Sequence, residues 1–254
     1  MGGGDVAGAV ARLDELTRRL RRECPWDREQ DERSIVPHTV EEAYELADAA
    51  GRGDDGKLLD ELGDVLFQVH FLALLLEERG AGDLAEVAER CRQKLIRRHP
   101  HVFGETEVSG AGEVLANWDR IKASEPEREP GLFGEVPESL PALLLARKVQ
   151  RRAAAGGFDH AGAEDALADV REEIVEVAEA TSRDDRFHEV GDLLFAAANL
   201  ARKLSVDPEL ALRAAAGRFR ARVEAAATAA EGQGRRFTEL SSEEQVALYD
   251  AARP

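Results

Sequence analysis

The chain contains the stretch Glu61-Leu-Gly-Asp-Val-Leu-Phe67, which returns in nearly the same form as Glu189-Val-Gly-Asp-Leu-Leu-Phe195. The acidic stretch Glu41-Glu42-Ala-Tyr-Glu45 precedes the first of these, and Glu172-Glu173-Ile-Val-Glu176 precedes the second. The copies are offset by about 130 residues, and the offset changes slightly in Gly-, Asp- and Pro-rich stretches, where turns tolerate insertions. These observations predict a structural unit that occurs twice.

Composition and hydrophobic period both indicate helix. Ala, Leu, Glu and Arg dominate, and aromatic residues make up only 5% of the chain. In each copy the apolar residues follow the i, i+3, i+4, i+7 spacing of a buried helix face. These residues are Leu58, Leu62, Val65, Leu66 and Val69 in the first copy, and Val190, Leu193, Leu194 and Ala197 in the second. We therefore expect an all-α fold of two tandem helical modules, each contributing to a four-helix-bundle-type core.

A Pro- and Gly-rich stretch separates the two copies. Its turn-forming residues are Pro126, Pro130, Gly131, Gly134 and Pro137. Such composition is typical of a linker. We therefore predict an N-terminal module over residues 1–125, a linker over 126–137 and a C-terminal module over 138–254.

The charge balance restricts the class of partner. The chain has 51 acidic and 34 basic side chains, a formal net charge of −17. Because such a protein repels polyanions, we expect neither a nucleic-acid nor a membrane partner. A small anionic substrate remains compatible with this charge when divalent cations bridge it to carboxylates.

The cysteines and the N-terminus indicate the compartment. Cys24 and Cys91 form neither a CxxC motif nor a disulfide framework. Charged residues from Asp5 onward interrupt any apolar stretch of the kind found in a signal peptide. We therefore expect a cytoplasmic protein.

The repeated acids form a candidate metal site. On a helix, Glu41, Glu42 and Glu45 lie within about 100° of arc, and Glu61 and Asp64 share a face of the next helix. An antiparallel hairpin brings these faces together, and a divalent cation would offset the repulsion between the carboxylates. Oxygen-only ligands favour Mg²⁺ or Mn²⁺. The second copy repeats the pattern with Glu172, Glu173, Glu176, Glu189 and Asp192. The alternative is a solvated acidic surface, which explains one such motif better than two in register.

Basic and aromatic residues near the acids are candidates for substrate binding. Cations on a third helix of each copy could reach phosphate oxygens, and an aromatic residue could stack on a base. The candidates are Lys94, Arg97 and Arg98 in the first copy, Arg218 and Arg222 in the second, and Trp26. Surface salt bridges and ordinary core packing are the alternative explanations.

Other catalytic classes lack their sequence patterns. The chain has no GxxxxGK[ST] phosphate loop, no GxGxxG after a strand and no HExxH zinc motif. A ferritin-like di-iron protein would place a His three residues after a motif Glu, and neither copy does so. The carboxylate pairs are therefore the leading candidates for chemistry.

The acidic pattern resembles that of the MazG family. EExxE followed by ExxD occurs twice, and the segments Cys24-Pro-Trp-Asp27, Arg97-Arg-His-Pro-His-Val-Phe103, Asn117-Trp-Asp-Arg-Ile-Lys122 and Leu140-Pro-Ala-Leu143 also resemble this family. The resemblance implies an all-α, Mg²⁺-dependent nucleoside triphosphate pyrophosphohydrolase that releases NMP and pyrophosphate. It also implies a homodimer and a broad range of NTP and dNTP substrates. House-cleaning of damaged nucleotides and tuning of a nucleotide alarmone pool are both compatible with this family.

The resemblance also assigns roles to individual residues. The implied metal ligands are Glu42, Glu45, Glu61, Asp64, Glu173, Glu176, Glu189 and Asp192. Glu41 and Glu172 would assist water activation or metal ligation, and Lys122, Arg218 and Arg222 match positions associated with nucleotide binding. This chain departs from the family pattern at Asp169, where Lys is expected, and at Tyr249, where Trp is expected.

Two other functions remain open from the sequence. One is a narrower all-α pyrophosphohydrolase, either dUTPase-like or cleaving phosphoribosyl-ATP. The other is a nucleotide sensor in which one or both copies bind without turnover. A substrate panel with product analysis separates all three.

Overall fold

The computed structural model describes residues 4–123, 131–134 and 136–253. The first half of the chain forms α1 (Val6–Glu23), α2 (Pro25–Glu29), α3 (Glu32–Arg52), α4 (Asp55–Glu78), α5 (Leu84–Arg98), α6 (Pro100–Phe103) and α7 (Ala111–Ala123). The second half forms α8 (Ala142–Ala155), α9 (Ala163–Glu179), α10 (Arg183–Lys203), α11 (Pro208–Gly232), a 3-10 turn (Phe237–Glu239) and α12 (Ser242–Ala251). No strand occurs in the described residues, which confirms the predicted all-α fold. None of the helices found there is long and apolar enough to cross a membrane.

The chain divides into two compact units, unit 1 (Met1–Lys122) and unit 2 (Ala123–Pro254). The predicted linker 126–137 falls at the start of unit 2. Its residues 126–130 and 135 lie outside the described part of the chain.

The hairpin of α3 and α4 is the centre of unit 1. Gly53 ends α3 in the left-handed region, with φ 68°, a conformation that glycine adopts without steric cost. Asp54 then begins α4 by accepting a hydrogen bond from the backbone N–H of Lys57 (3.0 Å). This short turn makes α3 and α4 adjacent, and α4 also packs against α1 and α5. Four long helices therefore surround the core of the unit.

The buried side of α4 is not the predicted one. Phe71 and Leu75 pack with Ile35 of α3, whereas Leu62 and Leu66 are 49% and 40% exposed. Because α4 is apolar on more than one side, the 3.6-residue period identifies a helix without identifying the side that meets its neighbours. The expectation that Leu62, Leu66 and Val69 line a buried face was wrong for the single chain, whereas Leu58 and Val65 are partly buried.

Unit 2 repeats this arrangement. α9 and α10 form the hairpin, and α8 and α11 pack on α10. Ser182 begins α10 through a capping box with Asp185. Small side chains dominate the buried positions, which include Ala166, Ala196, Ala198, Ala226 and Ala230. Val190, Leu194 and Ala197, also predicted to be buried, are exposed, because α10, like α4, is apolar on more than one side.

An ion-pair network connects the end of α10 to the loop after α8. The carboxylate of Asp159 accepts hydrogen bonds from Arg202 (Nη1–Oδ2, 3.3 Å) and pairs with Lys203 (Nζ–Oδ2, 2.9 Å). Burial opposes ionisation of this carboxyl, but the hydrogen bonds from both cations lower the pKa of Asp159 to about 2. The ionised form of Asp159 therefore stabilises unit 2.

The substitution Asp159→Asn should reduce the free energy of unfolding at pH 7 by about 1 kcal/mol, since it removes a partly exposed charge-assisted interaction. Because folding lowers the pKa, this stabilisation is present above the unfolded-state pKa of about 3.9. It is lost as the pH falls towards 2. Denaturant titrations between pH 7 and pH 2 should show the variant and the wild type converging. Glu179→Gln, an exposed change in the same unit, is the control. A difference that persists at pH 2 would contradict this account.

Candidate functional site

The α3–α4 hairpin brings three of the predicted acids of unit 1 together. Glu42 and Glu45 lie one turn apart on α3, and Glu61 lies on the facing side of α4. Each offers a carboxylate oxygen, and these oxygens are all within 4.8 Å of one another. We call Glu42, Glu45 and Glu61 the first cluster. Glu61 is only 1% exposed, so the cluster extends into the interior of the unit.

The other two acids of this set lie at the edge of the first cluster. Asp64 is exposed, but its charge is close enough to affect Glu42. Partial burial of Glu42, together with the charges of Asp64, Glu45 and Glu61, raises the pKa of its carboxyl. Glu41 is largely exposed and lies 3.8 Å from Nδ1 of His38. The site is therefore a buried acidic centre with an open acidic rim.

The sequence analysis missed Lys57. Its ammonium group forms an ion pair with Glu61, one turn later on α4. The i, i+4 spacing of Lys57 and Glu61 is the signal that could have identified the pair. The first cluster therefore contains a cation supplied by the protein.

Unit 2 forms an equivalent acidic cluster from a partly different set of residues. Oxygens of Glu173, Glu189 and Asp192 lie within 4.8 Å of one another, and we call these residues the second cluster. Glu176, the counterpart of Glu45, is outside the group, although its charge is near. Partial burial of Glu173, followed by the charges of Glu176, Asp192 and Glu189, raises the pKa of this carboxyl. The Oε2 atom of Glu173 is buried with no hydrogen-bond partner in the described structure.

The chemistry of both clusters suits a hard divalent cation. Carboxylate oxygens from two helices lie about as far apart as ligands that share one ion at roughly 2.0–2.6 Å. The buried oxygen of Glu173 also lacks the partner that such an atom normally requires. Six of the eight predicted ligands belong to the clusters, and Asp64 and Glu176 lie beside them.

The predicted basic residues of unit 1 lie on α5 and α7. Lys94 and Arg97 are exposed on α5. The guanidinium of Arg98 lies 5.8 Å from the centre of the Trp118 ring on α7, the helix that also carries Lys122. This group therefore combines cations with an aromatic surface.

Trp26 contacts the helix that carries the acids. Its ring meets His38 of α3 edge-on, with 5.9 Å between ring centres, and His38 neighbours Glu41. Trp26 itself is half exposed. An exposed aromatic ring therefore lies near the rim of the first cluster.

The predicted basic residues of unit 2 differ in their surroundings. Arg218 is exposed on α11. Arg222 is held by α12: its guanidinium lies 3.6 Å from the centre of the Tyr249 ring, and Nη2 donates to the Tyr249 carbonyl (2.9 Å). Asp169, the other departure from the family pattern, pairs with His160 (Oδ2–Nε2, 3.0 Å). Asp169 and Tyr249, the two positions that depart from the family pattern, therefore each contact a side chain within unit 2.

Comparison with known proteins identifies the family. A model of the MazG nucleotide pyrophosphohydrolase domain matches residues 30–103, a range that includes the whole first cluster. The chain is 41% identical to nucleoside triphosphate pyrophosphohydrolase of Escherichia coli (strain K12) over 84% of this chain and 85% of that protein. It is 39% identical to nucleoside triphosphate pyrophosphohydrolase/pyrophosphatase MazG of Thermotoga maritima over 91% and 89%. A crystal structure of a MazG-related protein from Thermotoga maritima aligns with 45% of this chain and 99% of that one, at 25% identity and a TM-score of 0.40. The chain belongs to the MazG family of nucleotide pyrophosphohydrolases.

Proposed function

We propose that this protein hydrolyses nucleoside triphosphates and deoxynucleoside triphosphates to the monophosphate and pyrophosphate, in a Mg²⁺-dependent reaction at the carboxylate clusters. The observation that carries the proposal is the convergence of three acids from two helices in each unit. The names of the relatives support the substrate class. Hydrolysis of unwanted nucleotides in the pool is the physiological role that fits a broad substrate range.

The residues that would hold Mg²⁺ are the two clusters together with Asp64 and Glu176. The buried, unpartnered oxygen of Glu173 favours this assignment, because a carboxylate in that position needs a counter-charge. When bound, Mg²⁺ neutralises triphosphate charge and polarises the scissile phosphoryl group. Mn²⁺ has the same preference for oxygen ligands.

The protein's own groups would position the reactants. Glu41 and Glu172 are exposed beside cluster residues, where either carboxylate can accept a proton from an attacking water. Arg and Lys side chains stabilise the charge that develops on the pyrophosphate leaving group. Those proposed for this role are Lys94, Arg97, Arg98, Lys122, Arg218 and Arg222. Trp26 would stack on the base.

Incubation with a panel of NTPs and dNTPs plus Mg²⁺ tests the reaction. We expect NMP and pyrophosphate as products, with activity abolished by EDTA and restored by Mg²⁺. Glu61→Gln and Glu189→Gln each remove a ligand from one cluster. The substitution that lies in the catalytic unit should reduce the rate of hydrolysis by about 100-fold or more. Even changes to groups that only contact the metal ligands reduce metal affinity or activity by about 10–100-fold.

Asp60→Asn is the matched control, because it removes a charge from α4 one residue before Glu61, in a different direction around the helix. Release of NDP and phosphate, or unchanged hydrolysis in excess EDTA, would contradict the proposal. Selective hydrolysis of dUTP or phosphoribosyl-ATP would favour the narrower pyrophosphohydrolase.

Stability measurements test metal binding without turnover. In EDTA, Glu42→Gln should raise the free energy of unfolding by about 0.5 kcal/mol, because it removes like-charge repulsion within one turn of helix. At a Mg²⁺ concentration of 100 times Kd, the wild type should gain about 2.7 kcal/mol, and the variant should gain less. The Glu42→Gln variant should therefore be more stable than the wild type in EDTA and less stable than the wild type in Mg²⁺.

Tryptophan fluorescence is a suitable probe, because both tryptophans, Trp26 and Trp118, belong to unit 1. Asp60→Asn serves again as the control and should show no reversal. An equal gain from Mg²⁺ in Glu42→Gln and the wild type would remove Glu42 from the ligand set.

A homodimer is part of the same proposal. Exposed apolar side chains follow the i, i+3, i+7, i+10 spacing of a helix-packing seam on the hairpin helices. They are Leu59, Leu62, Leu66 and Val69 on α4, and Phe187, Val190, Leu194 and Ala197 on α10. A second copy of the chain would remove this surface from water.

Light scattering coupled to size exclusion tests the assembly. The wild type should have the mass of two chains, and the double substitution Leu62→Glu with Leu66→Glu should shift it towards one chain, because it places charges in the seam. Gln93→Glu, which adds a charge at an exposed polar position on α5, should leave the mass unchanged. A wild type with the mass of one chain would contradict the dimer.

A further inference from the structure

The two clusters differ at one equivalent position. Lys57 lies four residues before Glu61, and Asp185 lies four residues before Glu189. In unit 1, the Lys57 ammonium pairs with Glu61. In unit 2, Asp185 instead serves the capping box of α10, accepting from the Ser182 backbone N–H (3.1 Å). The same place in the fold therefore carries a positive charge in one unit and a negative charge in the other.

This difference changes how the negative charge of the carboxylates is offset in each cluster. The first cluster combines three carboxylates with one ammonium group, so the buried Glu61 has an ionic partner from its own helix. Oε1 of Glu61 and Oε2 of Glu173 are both buried without a hydrogen-bond partner among the described residues, and the Glu61 oxygen is the one that the Lys57 ammonium approaches as an ion pair. An external cation therefore relieves more repulsion in the second cluster than in the first.

Lys57 can compete with a metal ion without blocking the site permanently. Its side chain is 52% exposed, whereas that of Glu61 is 1% exposed. A half-exposed lysine has a flexible four-carbon stem and can turn its ammonium group to solvent. A metal ion at the first cluster would have to displace this group from Glu61 or bind beside its positive charge. Neither cost arises at the second cluster.

We infer that Lys57 is an internal substitute cation that makes the two metal sites unequal, so that the second cluster loads with divalent metal before the first. The inference rests on the proposed function, since it assumes that both clusters bind the metal. In this inference Lys57 acts through Glu61, because its ammonium group pairs with that carboxylate in place of a metal ion. At limiting metal concentration, unit 2 would be loaded while unit 1 remains in its lysine-compensated form.

Binding of Mn²⁺ to the full chain, followed by electron paramagnetic resonance of the free ion, tests the order of loading. Glu189→Gln leaves the first cluster intact for measurement, and Glu42→Gln leaves the second. We expect the second cluster to bind Mn²⁺ more tightly than the first by roughly tenfold or more, the scale of effect that groups adjoining metal ligands have. This readout is independent of hydrolysis.

Substitutions at Lys57 and Asp185 test whether the charge at this position causes the difference in Mn²⁺ affinity. In the Glu189→Gln background, Lys57→Met should tighten Mn²⁺ binding by roughly tenfold, and Lys57→Arg should leave it weak. In the Glu42→Gln background, Asp185→Lys should weaken binding. Asp185→Asn, which retains a side-chain oxygen for the capping box, should weaken it less. Circular dichroism checks that each variant keeps its helices. Arg90→Met is the control for loss of a positive charge elsewhere in unit 1, since Arg90 pairs with Glu86 on α5.

The outcomes separate this inference from the proposed function. Absence of Mn²⁺ binding at both clusters overturns the metal-dependent function and the inference with it. Binding with equal affinity at the two clusters, or binding that Lys57→Met leaves unchanged, overturns the inference alone. Weaker binding in Lys57→Met also overturns it, because Lys57 would then orient Glu61 for the metal and would not compete with it.

Discussion

Repulsion between carboxylates at the helix hairpins is the constraint on which the rest of this structure depends. In each unit, two helices hold three acidic oxygens within 4.8 Å of one another, and partial burial together with the neighbouring acidic charges raises the pKa of Glu42 and Glu173. The surrounding structure must resist separation of the helices. The Gly53–Asp54 turn and the packing of Ile35 against Phe71 do so in unit 1. A functional site that opposes folding in this way is common in enzymes.

The two units meet that constraint in different ways. Unit 1 places Lys57 against Glu61, whereas unit 2 has Asp185 at the equivalent position, in the capping box of α10. The same family pattern can therefore support sites of different electrostatic character within one chain. In the reaction that we propose, the substrate is strongly anionic, so such a difference would change how each cluster binds a metal ion and phosphate.

The apolar surface of the hairpin helices explains the main error of the sequence analysis. α4 has two apolar stripes, one that contains Phe71 and Leu75 and one that contains Leu62 and Leu66. Both follow a helical spacing, so periodicity alone does not rank them. Packing of α1, α3 and α5 around α4 buries the first stripe and leaves the second exposed. The second stripe has the spacing of a helix-packing seam, which is why we propose that a second copy of the chain covers it.

The sequence by itself determined the helical fold, the family and the two occurrences of the acidic motif, because helical period and motif spacing can be read from the order of residues along the chain. Tertiary structure decided which acids meet. Glu42, Glu45 and Glu61 converge while Asp64 stays at the rim, and in unit 2 Asp192 replaces the counterpart of Glu45. It also decided that Tyr249 holds Arg222. The physical reason is that each residue turns a helix by about 100°, so the rotation and crossing of neighbouring helices select which side chains come within a few ångströms.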